Sequence, residues 1–116
     1  MDYEKLFTKI QEDYDLFLRH TAHHMGIDLE TVKKSQRELG LCVKRGRKYD
    51  KICLHDGVEV WGFVKINDCE KFKRGDLLMA ESWHRPTLNK ARGNVLSGDF
   101  SKVEWWGLRY LNKEAA

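Results

Sequence analysis

The chain has 116 residues, of which 41% are hydrophobic and 34% charged, and a formal net charge of +3; this length suits one domain that buries roughly two thirds of its unfolded surface. The mixture is too apolar for a disordered chain, and its apolar runs of a few residues fall far short of the roughly 20 that a membrane-spanning helix needs. Residues 1–30 hold three basic against seven acidic side chains and residues 33–92 fifteen basic against eight acidic, so an acidic leading segment precedes a basic body able to attract phosphate backbones or to serve as a solvated face.

The opening Met1-Asp2-Tyr3-Glu4-Lys5 is acidic where a secretory signal is basic and then apolar, and the expected compartment is the cytoplasm. Over residues 2–25, Tyr3, Leu6, Phe7, Ile10, Tyr14, Phe17 and Leu18 recur at the three-and-four spacing of a helix with one side in a core. Tyr3, Phe7, Ile10, Tyr14 and Phe17 also fit a heptad seam, but two heptads are too few for a coiled coil. Gly26 supplies a left-handed stop, and Asp28 caps a second helix expected over 29–39 and closed by Gly40.

Beyond Gly40 the texture changes to short runs of β-branched and aromatic residues, which predicts strands near 41–45, 50–55, 58–66, 76–82 and 103–106. Asp56-Gly57 has the composition of a two-residue hairpin turn, and Arg74-Gly75-Asp76 that of a turn entering a strand. Residues 84–98 show no period and read as a long loop, a class that is usually functional or mobile. The expected fold is α+β in one domain: two N-terminal helices (1–40) packed on a small, bent antiparallel sheet or partial barrel (41–116).

Cys42, Cys53 and Cys69 match neither a disulfide framework nor zinc-site spacing and read as free thiols. His20, His23 and His24 share one helix face, yet no acidic or cysteine partner is fixed beside them, so no metal site and no cofactor are expected. Asp76, Glu81, His55 and His84 supply acid and base types, but nothing in their spacing makes them converge, and no catalytic residue is assigned.

Ala22, Gly26 and Val32 stand where two helices of a helix-turn-helix touch. Together with residues 33–41 and the basic run Lys44-Arg45-Gly46-Arg47-Lys48, the segment resembles a winged helix-turn-helix DNA-binding domain. That resemblance implies that Thr31, Lys34, Gln36 and Arg37 face a major groove, with the 44–48 hairpin on the backbone. Ser35 departs from the pattern, which wants an apolar residue there. The helical hairpin packed on a sheet is the plain alternative.

The most distinctive block runs through Gly75-Asp76, Ser82-Trp83, Pro86 and Ala91-Arg92-Gly93-Asn94. With Val60-Trp61-Gly62-Phe63, Asn67-Asp68 and Trp105-Trp106-Gly107-Leu108-Arg109-Tyr110-Leu111, it resembles a family of small proteins of tailed bacteriophages over residues 55–111. Glu81 and Leu108 depart from that family's pattern. The resemblance implies a phage origin, a site of action in an infected bacterial host and a β-rich fold, but no active site.

Three functions follow as expectations. The first is a non-catalytic accessory protein that binds nucleic acid through Lys33, Lys34, Gln36, Arg37, Lys44, Arg45, Arg47, Lys48, Arg85, Lys90 and Arg92. In the loop, Trp83, His84, Arg85, Lys90, Arg92 and Asn94 can stack on bases and hold phosphate, or Asn94 and Arg92 can anchor the loop itself. The second is a binder of a host or phage protein through Trp83, Trp105 or Trp106, the last two on opposite faces if 103–106 is a strand. The third is a metal-dependent enzyme acting on nucleic acid or nucleotides. No membrane partner is expected.

Overall fold

The computed structural model describes residues 1–109. In chain order the elements are α1 (Glu4–Met25), α2 (Leu29–Ser35), β1 (Cys42–Lys44), β2 (Tyr49–Leu54), β3 (Glu59–Lys65), β4 (Leu77–Met79), β5 (Val103–Glu104) and β6 (Gly107–Leu108). The fold is α+β. β1 to β4 form one antiparallel sheet in chain order, β5 and β6 form a small separate hairpin, and neither closes into a barrel. Tyr110 and Leu111 lie outside the described residues. Among the described residues no helix is long and apolar enough to cross a membrane.

α1 forms because Leu6, Ile10, Tyr14, Leu18 and Ala22 recur every fourth residue and are all buried, one continuous stripe on a helix. Gly26 ends it at φ 67°: its N–H donates to the His23 carbonyl at 3.3 Å and that of Ile27 to the Ala22 carbonyl at 3.1 Å, the paired bonds of a Schellman stop. The Asp28 carboxylate then caps α2, accepting from the Thr31 N–H at 2.8 Å and the Thr31 hydroxyl at 2.9 Å.

α2 is shorter than the sequence suggests, ending at Ser35 rather than 39. Gln36 is already extended (φ −104°, ψ 148°). Tertiary bonds claim the backbone beyond it: the Tyr14 hydroxyl donates to the Arg37 carbonyl at 2.6 Å, and the His55 and Asp56 N–H groups donate to Leu39 and Gly40. These bonds also replace the expected two-residue turn at Asp56-Gly57. Leu54 pairs with Glu59, and the chain crosses between them through His55, Asp56 and Gly57, all at positive φ, and then Val58 at φ −77°.

Ile52 pairs with Gly62 and Cys53 with Val60, which leaves Trp61 as the extra residue of a β-bulge. The bulge turns Trp61 into the helix-side core, where its indole N–H donates to the Glu104 carbonyl at 2.9 Å and ties the β5–β6 hairpin to β3. The main core therefore joins the α1 stripe, Val32, Leu39, Ile52, Leu54, Trp61, Val64, Leu77, Val103 and Leu108. A second, smaller apolar cluster of Phe63, Phe72 and Leu78 lies apart from that core, on the other face of the sheet because Phe63 alternates with Val64.

Residues 84–98 contain no helix or strand but are tied to the sheet edge. Thr87 donates to Met79, Arg92 to Leu77, Leu77 to Gly93 and Val95 to Gly75, at 2.7–2.9 Å. The segment thereby covers the open edge of β4, which would otherwise present unpaired backbone groups.

Candidate nucleic-acid interface

The sheet face away from α1 carries a patterned set of side chains. Lys44 pairs with Lys51, Lys51 with Phe63 and Phe63 with Leu78, one line across all four strands. Tyr49 pairs with Lys65 on one side of that line, and Cys42 with Cys53 on the other. The two-residue period of a strand puts Cys42 and Lys44, and likewise Tyr49, Lys51 and Cys53, on one face.

Trp83 reaches this face from the loop after β4. The ammonium of Lys51 lies 4.1 Å from its ring centroid and that of Lys44 4.8 Å, both within cation–π range. Lys51 is also 5.9 Å from the Phe63 ring, Phe63 meets Tyr49 edge-on at 6.1 Å, and the Lys65 ammonium lies 5.1 Å over Tyr49. A cleft lined by Tyr49, Glu81, His84, Arg85, Pro86 and Leu88 adjoins the patch. None of the ion pairs among the described residues involves Lys44, Lys51 or Lys65. The acidic residues of α1 belong to the other side of the sheet.

The expected cationic residues divide into groups. Lys33 and Lys34 are exposed on α2, while Gln36 and Arg37 follow its end and line a cleft with Gln11, Asp15 and Glu38. Arg47 and Lys48 are exposed in the β1–β2 turn, and Arg85 and Lys90 in the loop. Arg45 is tied to the fold while its side chain stays exposed: its guanidinium donates to the Asp50 carboxylate at 2.9 Å and to the Met1 carbonyl at 3.2 Å, and lies over the Tyr3 ring. Arg92 is 1% exposed and donates to Asn89 Oδ1 at 2.6 Å and the Lys90 carbonyl at 2.7 Å, so it organises its loop from inside.

Asn94 is the loop's other organiser. Its amide donates to the Asp76 carboxylate at 2.9 Å and the Arg74 carbonyl at 3.1 Å, and its Oδ1 accepts from the Leu96 and Ser97 N–H groups at 2.8 and 3.0 Å. A side chain on Gly93 would meet the Asp99 carbonyl oxygen at 2.3 Å. Much of the distinctive 75–94 block is therefore bonded within itself. Asp76 is held by Asn94 and by the Lys73 N–H, and His55 is placed between the Glu38 carbonyl and Glu59. Among the described residues no three His, Cys, Asp or Glu side chains converge as metal ligands do.

Trp105 and Trp106 occupy the turn between β5 and β6 rather than a single strand. The Trp105 ring packs against Tyr14 and Phe17 at 5.1 and 4.9 Å, and its backbone N–H donates to the Asp13 carboxylate at 2.8 Å. Trp106 is 50% exposed. Beside them the Glu104 carboxyl titrates above its ordinary range, chiefly because it is desolvated and then because the Asp13 carboxyl adjoins it.

Comparison with protein-family models, with curated proteins and with solved structures finds no match to this chain. Tyr49, Lys51 and Lys65 were not among the residues singled out from the sequence. The available signal was the alternation of Tyr49, Lys51 and Cys53 on β2, which a correct hairpin register sets opposite Lys44 and Lys65.

Proposed function

We propose that this is a small, non-catalytic accessory protein of a tailed bacteriophage that binds single-stranded nucleic acid on the outer face of its sheet, in the cytoplasm of the infected cell. The observation that carries the reading is the convergence of Lys44 and Lys51 from neighbouring strands on the one ring of Trp83. Two ammonium groups set side by side repel each other, and the aromatic ring offsets that repulsion only in part. A phosphate between them supplies the missing counter-charge. The partly exposed rings of Trp83 and Tyr49 offer the stacking surfaces that single-strand binders use. Arg47, Lys48 and Arg85 extend the cationic path at its margins. The phage origin rests on the resemblance of residues 55–111.

The test is fluorescence anisotropy with labelled single-stranded DNA and RNA and with duplex DNA, at low and moderate salt. The reading expects single strands to bind more tightly than duplex, with affinity lost as salt rises. Preference for duplex would instead favour the α2 and 44–48 surfaces of the winged helix-turn-helix resemblance. A second reading, a protein-binding role, is favoured by the exposure of Trp106 at a hairpin tip. It expects capture of a bacterial or phage protein that survives nuclease treatment and is lost in Trp106→Ala.

A further inference from the structure

The cysteines that looked unrelated in sequence are brought together by the β1–β2 register: Cys42 and Cys53 are direct cross-strand partners. Directly opposed residues of antiparallel strands have Cα atoms roughly 4.5 or 5.5 Å apart, according to the ladder site. Both separations fall within the roughly 4.4–6.8 Å that disulfides span. Both side chains lie on the sheet face that carries Lys44 and Lys51, which form the next same-face rung. Cys42 is half-buried and Cys53 fully buried. A Cβ placed on Gly57 would stand 3.9 Å from Cys42 Sγ and 3.1 Å from Lys44 Cε, so the turn after β2 lies directly beside the sulfur. Cys69 lies outside the sheet, where its sulfur accepts the Phe72 N–H in a local turn.

We propose that Cys42 and Cys53 form an oxidisable dithiol that closes to a cross-strand disulfide by exchange with a small-molecule disulfide such as glutathione disulfide. Cys42 is the entry point. Its thiolate attacks one sulfur of glutathione disulfide, the S–S bond breaks, and one glutathione thiolate leaves and takes up the proton that Cys42 released. Cys53 then loses its proton and attacks Cys42 Sγ, which breaks the mixed disulfide and frees the second glutathione. Two protein thiols are oxidised, and one glutathione disulfide is reduced to two thiols. The order follows from accessibility: burial, and then the neighbouring Cys42, push the Cys53 thiol up, while Lys44 and Lys51 pull it down. Cys53 therefore acts as the resolving thiol, already in contact with the sulfur it must attack. This inference is independent of nucleic-acid binding.

The experiment treats the reduced full-length protein with glutathione disulfide, blocks the remaining thiols with N-ethylmaleimide, and reads intact mass and disulfide-linked peptides. The expected wild-type product has lost two hydrogens in joining Cys42 to Cys53, carries neither glutathione nor maleimide on either, and bears a label on Cys69 alone. Cys69→Ser closes in the same way, whereas Cys53→Ser retains glutathione on Cys42. Closure raises the melting midpoint by roughly 5–10 °C, because it removes freedom from the unfolded chain. The proposal is overturned if wild-type protein keeps glutathione on Cys42 without closing, or if Cys69→Ser, which leaves the pair intact, forms no Cys42–Cys53 link. These readouts hold even if Cys53→Ser fails to fold.

Discussion

The Tyr3 hydroxyl donates to the Asp50 carboxylate at 2.6 Å, joining the start of α1 to the inner face of β2 across 47 positions of sequence. Asp50 is 3% exposed and also accepts from Arg45 at 2.9 Å and the Gly46 N–H at 3.3 Å. A buried carboxylate with three donors is stable only while all are present. Asp50→Ala is expected to cost about 2–3 kcal/mol, because it strands the buried Tyr3 hydroxyl while water can solvate the exposed Arg45, and Tyr3→Phe about 1.5–3 kcal/mol. Urea unfolding at neutral pH measures both.

The same pair predicts a response to alkali. Burial, and then Asp50, hold the Tyr3 phenol well above its ordinary value of 10.0. The folded state thus favours the protonated phenol. Its contribution is complete below the unfolded value and is lost as pH rises past 10. Wild-type stability should fall more steeply above pH 10 than that of Tyr3→Phe, read as melting midpoints in a pH series.

At the Asp13–Glu104 contact the sign is that of a raised carboxyl. Folding favours protonated Glu104, so its contribution is largest in acid and declines as pH climbs through and above the ordinary glutamate range. Glu104→Gln, which keeps a donor toward Asp13, should raise the melting midpoint at neutral pH by roughly 2–5 °C and lose that advantage in acid. An unchanged midpoint at neutral pH would show that the Arg109 ion pair at 3.1 Å balances desolvation and the Asp13 charge, and a lowered one that it outweighs them.

Asn94 and Gly93 carry the 75–99 network. Asn94→Ala removes both amide donors and the acceptor that serves two N–H groups, and should cost on the order of 2 kcal/mol. Gly93→Ala should cost more, since its Cβ would overlap the Asp99 carbonyl and φ is 144°. If the network is structural, both variants lower the melting midpoint yet bind single-stranded oligonucleotide as wild type does well below it.

These particulars show what was legible in the sequence. The α1 stripe, the Gly26 stop and the Asp28 cap are local features, set by spacing within one turn, and they stand as read. The sequence reading makes α2 too long because Tyr14, His55 and Asp56, distant in sequence, hold the backbone of residues 37–40 in a non-helical path through tertiary bonds. The Trp105-Trp106 pair suggested a strand because aromatic residues favour strands, but Gly107 at φ 152° begins the return arm of a hairpin instead. Arg92 carries the composition of a phosphate contact, and nothing local reveals that its loop folds over it. The bulge at Trp61, the Cys42–Cys53 rung and the Lys44–Lys51–Trp83 cluster all depend on strand register, which composition does not encode.

Trp83 should matter to binding beyond its charge partners. Trp83→Ala is expected to weaken single-strand affinity by about 1–3 kcal/mol if a base stacks on the ring, and Trp83→Phe by less. Equal affinity in wild type and Trp83→Ala would reduce the ring to a loop anchor.

The most direct test is the salt dependence of single-strand affinity in wild type and in the double variant Lys44→Ala/Lys51→Ala. Each phosphate contact on a single strand contributes a slope of about −0.7 in log affinity against log salt. The double variant should bind more weakly, with a slope shallower by roughly 1.4. A slope identical to that of wild type, or a wild type that binds no single strand at low salt, would contradict the assignment of this face.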